Sequence, residues 1–206
     1  MKCIAHRGYS LKFRDNSIES IREAILREYD GIEIDVQLCE TGEIVLFHDI
    51  YVNKRFISET CLGDLKKMGI ITLQELYEQV PEIRKHLLLL DIKGSNLNIC
   101  RSLENFYRDE NTDTIIFCSF NRKIIYNLPT HFKIGSTFET TFHKSELPSL
   151  TMALNAVVCH WTCLDHDLIS HCRSNDIKVY TYTHKEDEEL EYMYRYGVDG
   201  IITNGF

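Results

Sequence analysis

Short apolar runs alternate with longer amphipathic stretches along the whole chain, and no polar linker divides it. The runs are rich in Ile, Val, Leu and Phe, which is typical of strands that are buried on both faces of a sheet. A shorter apolar piece, Ile44–Phe47, lies between the second run and the third. The pattern therefore predicts eight main strands, at Cys3–Ala5, Ile32–Val36, Leu87–Ile92, Thr114–Cys118, Phe132–Ile134, Ala156–Cys159, Lys178–Tyr182 and Gly200–Thr203.

The amphipathic stretches between the runs predict helices. In the first, Asn16 is a candidate N-cap and Glu19 would close a capping box, ahead of an apolar stripe that begins at Ile18. Pro81 should end the second helix, and Gly197 follows the last one as a C-terminal cap would. The later helices are predicted at Leu73–Gln79, Leu97–Tyr107, Arg122–Leu128, Leu147–Leu154, Asp165–Ser174 and Lys185–Tyr196.

Strands of the buried type that alternate with helices predict a parallel sheet with helical crossovers. Eight strands close a (β/α)8 barrel, so we predict a small α/β TIM barrel that forms one domain over residues 1–206. The sequence stops at Phe206, directly after the eighth strand, so the last helix is expected to be missing or truncated. An open doubly wound sheet is the alternative, but the first strand is followed only by Gly8 and not by a G-x-G-x-x-G loop.

Composition narrows the possible functions. The chain has 23 Lys and Arg against 31 Asp and Glu, a net charge of −8, and it has no basic stripe that would favour nucleic acid. No run reaches the ~18 apolar residues that a membrane span needs. The first residues also lack the apolar core of a secretory signal. We therefore expect a cytoplasmic protein, and the sequence favours no particular oligomeric state.

Eight cysteines are spread along the chain, several of them inside apolar runs where a thiol behaves as a small buried hydrophobic group. Cys159 and Cys163 flank His160 and Trp161, which leaves two interpretations, zinc ligands or free thiols. Free thiols are favoured because no second Cys/His pair has the spacing of metal ligands.

Three carboxylates are candidates for a metal site. Glu33 and Asp35 are two residues apart on a predicted strand, so their side chains face the same side. Both would enter the mouth of a barrel, where Asp91 from the neighbouring strand would join them. Such a set offers only oxygen ligands, which suit Mg²⁺ or Ca²⁺ better than zinc. A surface acidic pair with Ile34 facing the core is the alternative.

Two histidines and two cations complete the candidate chemistry. His6 and His48 each directly follow an apolar run, and a reference pKa of about 6.5 suits acid–base work at neutral pH. Either alone would be interpreted as structural, but beside three carboxylates they form a candidate catalytic pair. Arg7 and Lys93 are candidate phosphate ligands. The planar guanidinium of an arginine can bind two phosphate oxygens at once, and the ammonium of a lysine supplies a single positive charge. Simple charge balance of the acids is the alternative for both.

Several motifs occur in the order found in one known family. The first pair is specific: His6-Arg7-Gly8 with Asp15-Asn16-Ser17, then residues 31–36 (Gly-Ile-Glu-Ile-Asp-Val) leading through a glycine turn to His48-Asp49. Weaker matches follow at residues 72–75 (Thr-Leu-Gln-Glu), 119–120 (Ser-Phe) and 197–203 (Gly-Val-Asp-Gly-Ile-Ile-Thr). Over nearly its whole length the chain resembles the glycerophosphodiester phosphodiesterases.

The resemblance implies a TIM barrel that hydrolyses glycerophosphodiesters with a divalent metal, Mg²⁺ or Ca²⁺. It makes His6 and His48 the acid–base pair and Glu33 and Asp35 metal ligands. It also implies that Asp91 is the third metal ligand and that Arg7 and Lys93 bind the phosphate.

The chain departs from the family pattern at two places in the site. The third ligand is usually the Glu of a Glu-x-Lys, and here it is Asp91, whose carboxylate is set back by ~1.5 Å, one C–C bond. The family's Trp-Thr-Val-Asn on strand seven is Tyr-Thr-Tyr-Thr, residues 180–183, so the head-group side of the pocket is expected to differ. Two alternatives therefore stay open. One is a lysophospholipase-D-like enzyme with a more apolar entrance lined by Trp161, Phe120, Tyr180 and Tyr182. The other is a catalytically silent barrel that binds a phosphorylated ligand or a protein.

Overall fold

The computed structural model describes residues 1–205, apart from the side chain of residue 187. Within them the strands are β1 (Lys2–His6), β2 (Gly31–Leu38), β3 (Ile44–Leu46), β4 (Tyr51–Val52), β5 (Arg55–Phe56), β6 (Leu87–Ile92), β7 (Ile115–Ser119), β8 (Lys133–Phe138), β9 (Ala156–His160), β10 (Lys178–His184) and β11 (Gly200–Thr203). The helices are α1 (Ile18–Leu26), α2 (Leu62–Lys67), α3 (Leu73–Gln79), α4 (Asn98–Phe106), α5 (Arg122–Ile125), α6 (Leu147–Leu150), α7 (His166–Ser174) and α8 (Asp187–Tyr196).

Eight parallel strands close into a barrel. Around it they follow one another in the order β1, β2, β6, β7, β8, β9, β10 and β11, and β1 pairs in parallel with both β2 and β11. This closure excludes the open sheet and confirms the predicted TIM barrel. The short β3 adds to β2 in the antiparallel direction, as an extra strand beside the barrel.

The core has two layers because alternate residues of each strand face opposite sides. The barrel interior is filled by Ile4, Leu89, Ile116, Cys118, Ala156, Val158, Tyr180 and Ile202. The larger layer lies between the outer face of the barrel and the helices, and it includes Ile32, Ile34 and Val36 of β2 together with Ile21 of α1. Since the inward face of β2 then carries Glu33 and Asp35, the barrel places both carboxylates at its mouth.

The start of α1 differs from the sequence prediction. Ser17, not Asn16, is the N-cap, and the capping box is closed by Ser20 rather than by Glu19. Gly8 packs directly against this turn with φ +77°, and a Cβ there would lie 2.6 Å from the backbone carbon of Ser20. The loop after β1 and the first turn of α1 are therefore held in close contact.

The C-terminal cap of α8 agrees with the sequence prediction. Gly197 has φ 65° and ends α8 as a left-handed C-cap. No helix follows β11 in the described residues, while Phe206, the last residue of the predicted domain, lies outside them. Sequence patterns missed the hairpin of β4 and β5 and the short helix α2, which follow β3 in the chain. Within residues 1–205, no helix has both the length and the apolar character to cross a membrane.

Candidate active site

The carboxyl ends of the barrel strands surround a cavity of about 390 Å³. This end of a TIM barrel is where the loops that carry chemistry converge. Eight of the nine side chains predicted for the site line the cavity: His6, Arg7, Glu33, Asp35, His48, Asp91, Lys93 and Trp161.

Tyr180 is the predicted site residue that does not line the cavity. It lies one layer deeper, inside the barrel, with 4% of its surface exposed, and burial raises its pKa to about 12. Tyr182 shares the inward face of β10 and lines the cavity. Of the two tyrosines expected at the entrance, the structure therefore places only Tyr182 there.

Glu33, Asp35 and Asp91 are the only group of three potential metal-ligating side chains found in residues 1–205. The register pairs Asp35 with Asp91 across β2 and β6, and Glu33 precedes Asp35 on the same inward face. One oxygen of each carboxylate lies within 4.8 Å of the others, and all three are buried. Oxygens bound to one Mg²⁺ or Ca²⁺ at about 2.0–2.6 Å are at most about 5 Å apart, so this spacing suits a divalent ion.

Two cations lie against these carboxylates. Lys93 Nζ is 2.6 Å from Asp91 Oδ2 and 3.0 Å from Asp35 Oδ1. Arg7 Nε is 3.1 Å from Asp35 Oδ2, and the backbone N–H of Arg7 donates to Glu33 Oε2 at 3.0 Å. Both cations balance the acids and also line the cavity, so the two interpretations of their role are compatible.

The three carboxylates differ in how readily they ionise. Burial raises the pKa of Glu33 well above its ordinary value, and the charge of Asp35 adds to that effect. Burial also raises the pKa of Asp91, to about 6. At Asp35 burial acts in the same direction, but Lys93 and Arg7 outweigh it and lower the pKa. Asp35 is thus the readily ionised member, and a bound cation would favour the ionised form of the other two.

Asn16 fixes the orientation of Asp35. Its Nδ2 donates to Asp35 Oδ2 at 2.8 Å, and its Oδ1 accepts from the backbone N–H of Asp35 at 3.0 Å. Asn16 has φ 55°, in the left-handed region that Asn adopts more easily than most residues. Sequence reasoning treated Asn16 as a helix cap and so missed that it supports a carboxylate.

The donor set fits a hard divalent cation. All three ligands are carboxylates, which Mg²⁺ and Ca²⁺ prefer. Asp91 Oδ1 is buried and has no hydrogen-bond partner among the described residues. Asp35 Oδ1 has the Lys93 ammonium 3.0 Å away, but not in hydrogen-bond geometry. Buried oxygens without a donor are costly unless a cation satisfies them, so the cluster can accept one.

His6 presents one ring nitrogen to the site in a fixed tautomer. Its Nδ1 lies 2.5 Å from Oδ1 of Asn204, which can only accept, so Nδ1 carries the proton and Nε2 the lone pair. Nε2 is 4.0 Å from Glu33 Oε2. Burial, followed by the charge of Arg7, lowers the pKa of His6, so its neutral form dominates at pH 7. Asn204 directly follows β11, and that position was the one signal in the sequence that pointed to it.

His48 is the more exposed histidine, with 42% of its side chain accessible. Its Nδ1 lies 2.8 Å from Asp49 Oδ1, which orients the ring and leaves Nε2 for a ligand in the cavity. β3 returns antiparallel along β2, and the backbone N–H of Phe47 bonds to the Asp35 carbonyl. This return brings His48 to the level of the carboxylates.

The far side of the cavity is aromatic. Phe120, His160, Trp161 and Tyr182 line it together with Glu139. They lie in or directly after the last residues of β7, β8, β9 and β10, across the barrel from β1 and β2. The cavity therefore has a charged half that suits a phosphate and an aromatic half that suits another part of a ligand.

The eight cysteines are all free, and Cys159 and Cys163 are both buried. Burial raises the pKa of each of these two thiols, which opposes the thiolate form that zinc requires. Within the described residues neither belongs to a group of side chains that could hold a metal.

Sequence comparisons agree with this geometry. The model of the glycerophosphoryl diester phosphodiesterase family matches residues 6–90 and 71–205. The glycerophosphodiester phosphodiesterase of Caldanaerobacter subterraneus subsp. tengcongensis is 26% identical over 226 residues, covering 98% of this chain and 93% of that protein. Human glycerophosphodiester phosphodiesterase 1 is 25% identical over 149 residues, covering 62% of this chain and 45% of its own length.

Solved structures have the same fold. Glycerophosphodiester phosphodiesterase from Thermotoga maritima superposes with a TM-score of 0.87 at 21% identity, covering 99% of this chain and 94% of that one. A phosphodiesterase from Oleispira antarctica in complex with the product sn-glycerol-3-phosphate has a TM-score of 0.87 at 22% identity, covering 99% and 93%. At this level of identity the likeness establishes the fold.

Proposed function

This chain belongs to the glycerophosphoryl diester phosphodiesterase family and is a phosphodiesterase, and we propose that it hydrolyses glycerophosphodiesters with a divalent metal and a His6/His48 pair. The observation that carries the proposal is the convergence of three buried carboxylates and two histidines on one cavity. The products would be glycerol phosphate and an alcohol. The Oleispira antarctica complex with sn-glycerol-3-phosphate supports this direction of cleavage.

We assign the metal to Glu33, Asp35 and Asp91 and propose Mg²⁺ or Ca²⁺ because the donors are all oxygens. When bound, a divalent cation would supply Lewis-acid polarisation of the phosphoryl group. Asp91 stands where the family usually has Glu. Its shorter side chain still reaches the other two carboxylates, because the strand register places Asp91 directly beside Asp35.

Arg7 and Lys93 would hold the phosphodiester beside the carboxylates. Both are anchored by ion pairs to Asp35, so their charges are fixed before a ligand arrives. Positive charges that are already in position stabilise the negative charge that develops on the phosphoryl oxygens in the transition state, and the side chains do not have to move first. The Arg7 guanidinium is further held by Asp15, 2.9 Å from Nη1.

His6 is suited to the role of general base. Its Nε2 carries a lone pair in the tautomer set by Asn204, and its lowered pKa keeps it neutral. It would accept the proton of the attacking hydroxyl, from water or from the substrate's own glycerol. His48 would then donate a proton to the departing alcohol, since Asp49 orients its ring and leaves Nε2 to face the cavity.

The test is turnover of glycerophosphocholine by the metal-loaded enzyme, followed by ³¹P NMR. The wild type should form glycerol phosphate, directly or through a cyclic phosphate. Activity should disappear with a chelator and return with Mg²⁺ or Ca²⁺. His6→Ala and His48→Ala should each lower kcat by ~10²–10⁴.

The matched control is His131→Ala, an exposed histidine that precedes β8 at the opposite end of the barrel. It should keep wild-type turnover. Wild-type rates in either His6→Ala or His48→Ala would reject the role of that histidine, and turnover that survives the chelator would reject the metal.

A second candidate substrate, a lysophospholipid, is favoured by one observation. An apolar cavity of about 430 Å³ adjoins the first and shares Phe120, Thr137 and Glu139 with it. Its other walls include Phe142 and Leu147, so it offers space for part of an acyl chain. Parallel assays with glycerophosphocholine and lysophosphatidylcholine distinguish the two substrates.

Eight free thiols support a reducing compartment, so we propose a cytoplasmic location.

A further inference from the structure

The aromatic half of the cavity is a cluster of rings in contact with one another. The Tyr182 ring is 6.3 Å from Phe120 at an interplanar angle of 75° and 5.8 Å from His160 at 80°. His160 in turn stacks with Trp161 at 5.6 Å and 30°. Because these rings pack against one another and all line the cavity, they form an aromatic wall across from the carboxylates.

Glu139 contributes a carboxylate to this wall. Glu139 Oε1 accepts a hydrogen bond from Tyr182 Oη at 3.2 Å, and the same hydroxyl lies 3.2 Å from the carbonyl oxygen of Phe138. The bond ties the negative charge of Glu139 to the aromatic cluster. No cationic side chain lies within ion-pair distance of Glu139 in residues 1–205.

The other charges that face this half give it a negative balance. Glu189 lines the cavity, and its Oε2 accepts from the backbone N–H groups of Lys185 and Glu186 at 2.7 and 3.2 Å. Lys185 also lines the cavity and is exposed. Lys93 Nζ lies 5.8 Å from the Phe120 centroid, and its ion pairs to Asp91 and Asp35 hold it on the charged side of the cavity.

We propose that this aromatic–acidic wall binds the alcohol arm of the substrate and favours an alcohol that carries a quaternary ammonium group. The proposal rests on the proposed function, since the charged half of the cavity would hold the phosphate. Aromatic faces attract a quaternary ammonium through their negative quadrupole, and Glu139 supplies the counter-charge. A neutral apolar group would gain the ring contacts but would desolvate Glu139 without compensation.

The chain offers an internal reporter for this wall, because Trp161 is its only tryptophan. We would titrate the Mg²⁺-loaded protein with choline and with 3,3-dimethyl-1-butanol, its neutral carbon isostere, and follow the fluorescence of Trp161. Calorimetry would give the same constants independently. Choline should bind roughly five- to thirtyfold more tightly than the isostere, the range that a cation–π contact spans.

Glu139→Gln should reduce that difference without abolishing it, because it deletes the counter-charge and leaves the rings in place. The matched control is Glu104→Gln, an exposed position on α4 that does not line the cavity. Equal affinity for choline and its isostere, no choline binding by either method, or an unchanged preference in Glu139→Gln would each overturn the proposal. Tighter binding of the isostere would point to an apolar arm instead.

Kinetics separate this proposal from the proposed function. The ratio of kcat/KM for glycerophosphocholine to that for glycerophosphoglycerol should fall by up to about fivefold in Glu139→Gln, the range of a solvent-accessible charge pair, and stay unchanged in Glu104→Gln. If the wild type cleaves neither diester, the proposed function fails while the choline titration still tests the wall. If both are cleaved with no preference in the wild type, only the wall is rejected.

Discussion

Replacing Glu33 by Gln tests the metal site through stability rather than through turnover. Glu33 is buried and lies within ligand distance of Asp35 and Asp91. Glutamine has the same shape and keeps an oxygen that can accept the Arg7 backbone N–H, a bond of 3.0 Å in the wild type. The substitution therefore removes one negative charge and leaves the packing in place.

The expected magnitude follows from linkage. A metal at 100 times its Kd stabilises the folded state by about 2.7 kcal/mol. In a domain of this size 1 kcal/mol shifts Tm by about 2–4 °C, so the wild type should gain roughly 5–11 °C. Loss of residues that merely support a metal ligand weakens affinity by about 10–100-fold, so loss of a ligand should cost at least ~100-fold. Glu33→Gln would then retain about 0.4 kcal/mol, or 1–2 °C.

Without metal, Glu33→Gln should be at least as stable to heat as the wild type. Burial and Asp35 raise the pKa of Glu33, so its ionised form destabilises the fold at neutral pH and Glu33→Gln should melt at the same or a higher temperature. The assay is thermal unfolding with a chelator and with Mg²⁺ or Ca²⁺, and Glu104→Gln is the control. A metal shift in Glu33→Gln as large as that of the wild type would refute the assignment of this ligand.

Three further outcomes follow from the same geometry. Gly8→Ala should destabilise the fold by about 2–5 kcal/mol in denaturant unfolding, because φ is +77° and the new Cβ would meet the Ser20 backbone at 2.6 Å. Asn204→Leu should lower kcat about tenfold or more, since it frees the His6 ring. It should also move the acidic limb of the pH–rate profile to lower pH, because the Asn204 bond raises the pKa of His6. An unmoved limb would contradict this role of Asn204. The increase in Tm caused by the metal should shrink as pH falls from 7.5 to 5, because Asp91, with a pKa of about 6, takes up a proton that competes with the metal. An increase in Tm that stays constant over this pH range would argue against Asp91 as a ligand.

The fold could be predicted from the sequence because its strands are buried on both faces and leave an unambiguous apolar signal. Each of the eight main strands occurs where the pattern indicated, and the antiparallel piece at Ile44–Leu46 was also visible. The hairpin of β4 and β5 was missed because its strands are two residues long and mostly exposed, so no alternation of apolar and polar positions reveals them.

The site could be predicted where a residue's role follows from its position on a strand. Glu33, Asp35 and Asp91 share the inward face because of strand periodicity alone, and the structure brings them together. Residues that act through long-range contacts could not be found in this way. Asn16 bonds to Asp35 across 19 positions and Asn204 to His6 across 198, and neither distance is encoded in a local pattern.

The sequence also does not show how deep in the barrel an inward-facing residue lies. Tyr180 and Tyr182 share one face of β10, and only the stagger of the closed barrel decides that the first lies in the interior layer and the second at the mouth. The cap of α1 is a similar case, since Asn16 and Ser17 are both good capping residues and tertiary contact with Asp35 decides between them.

Anomalous diffraction from crystals of the protein soaked in Mn²⁺ or Ca²⁺ would show whether the three carboxylates hold one divalent ion at the mouth of the barrel. We expect a single strong peak within about 2.0–2.6 Å of an oxygen from each of Glu33, Asp35 and Asp91. A peak elsewhere, or no peak while Lys93 keeps its ion pairs to Asp35 and Asp91 at saturating metal, would contradict it.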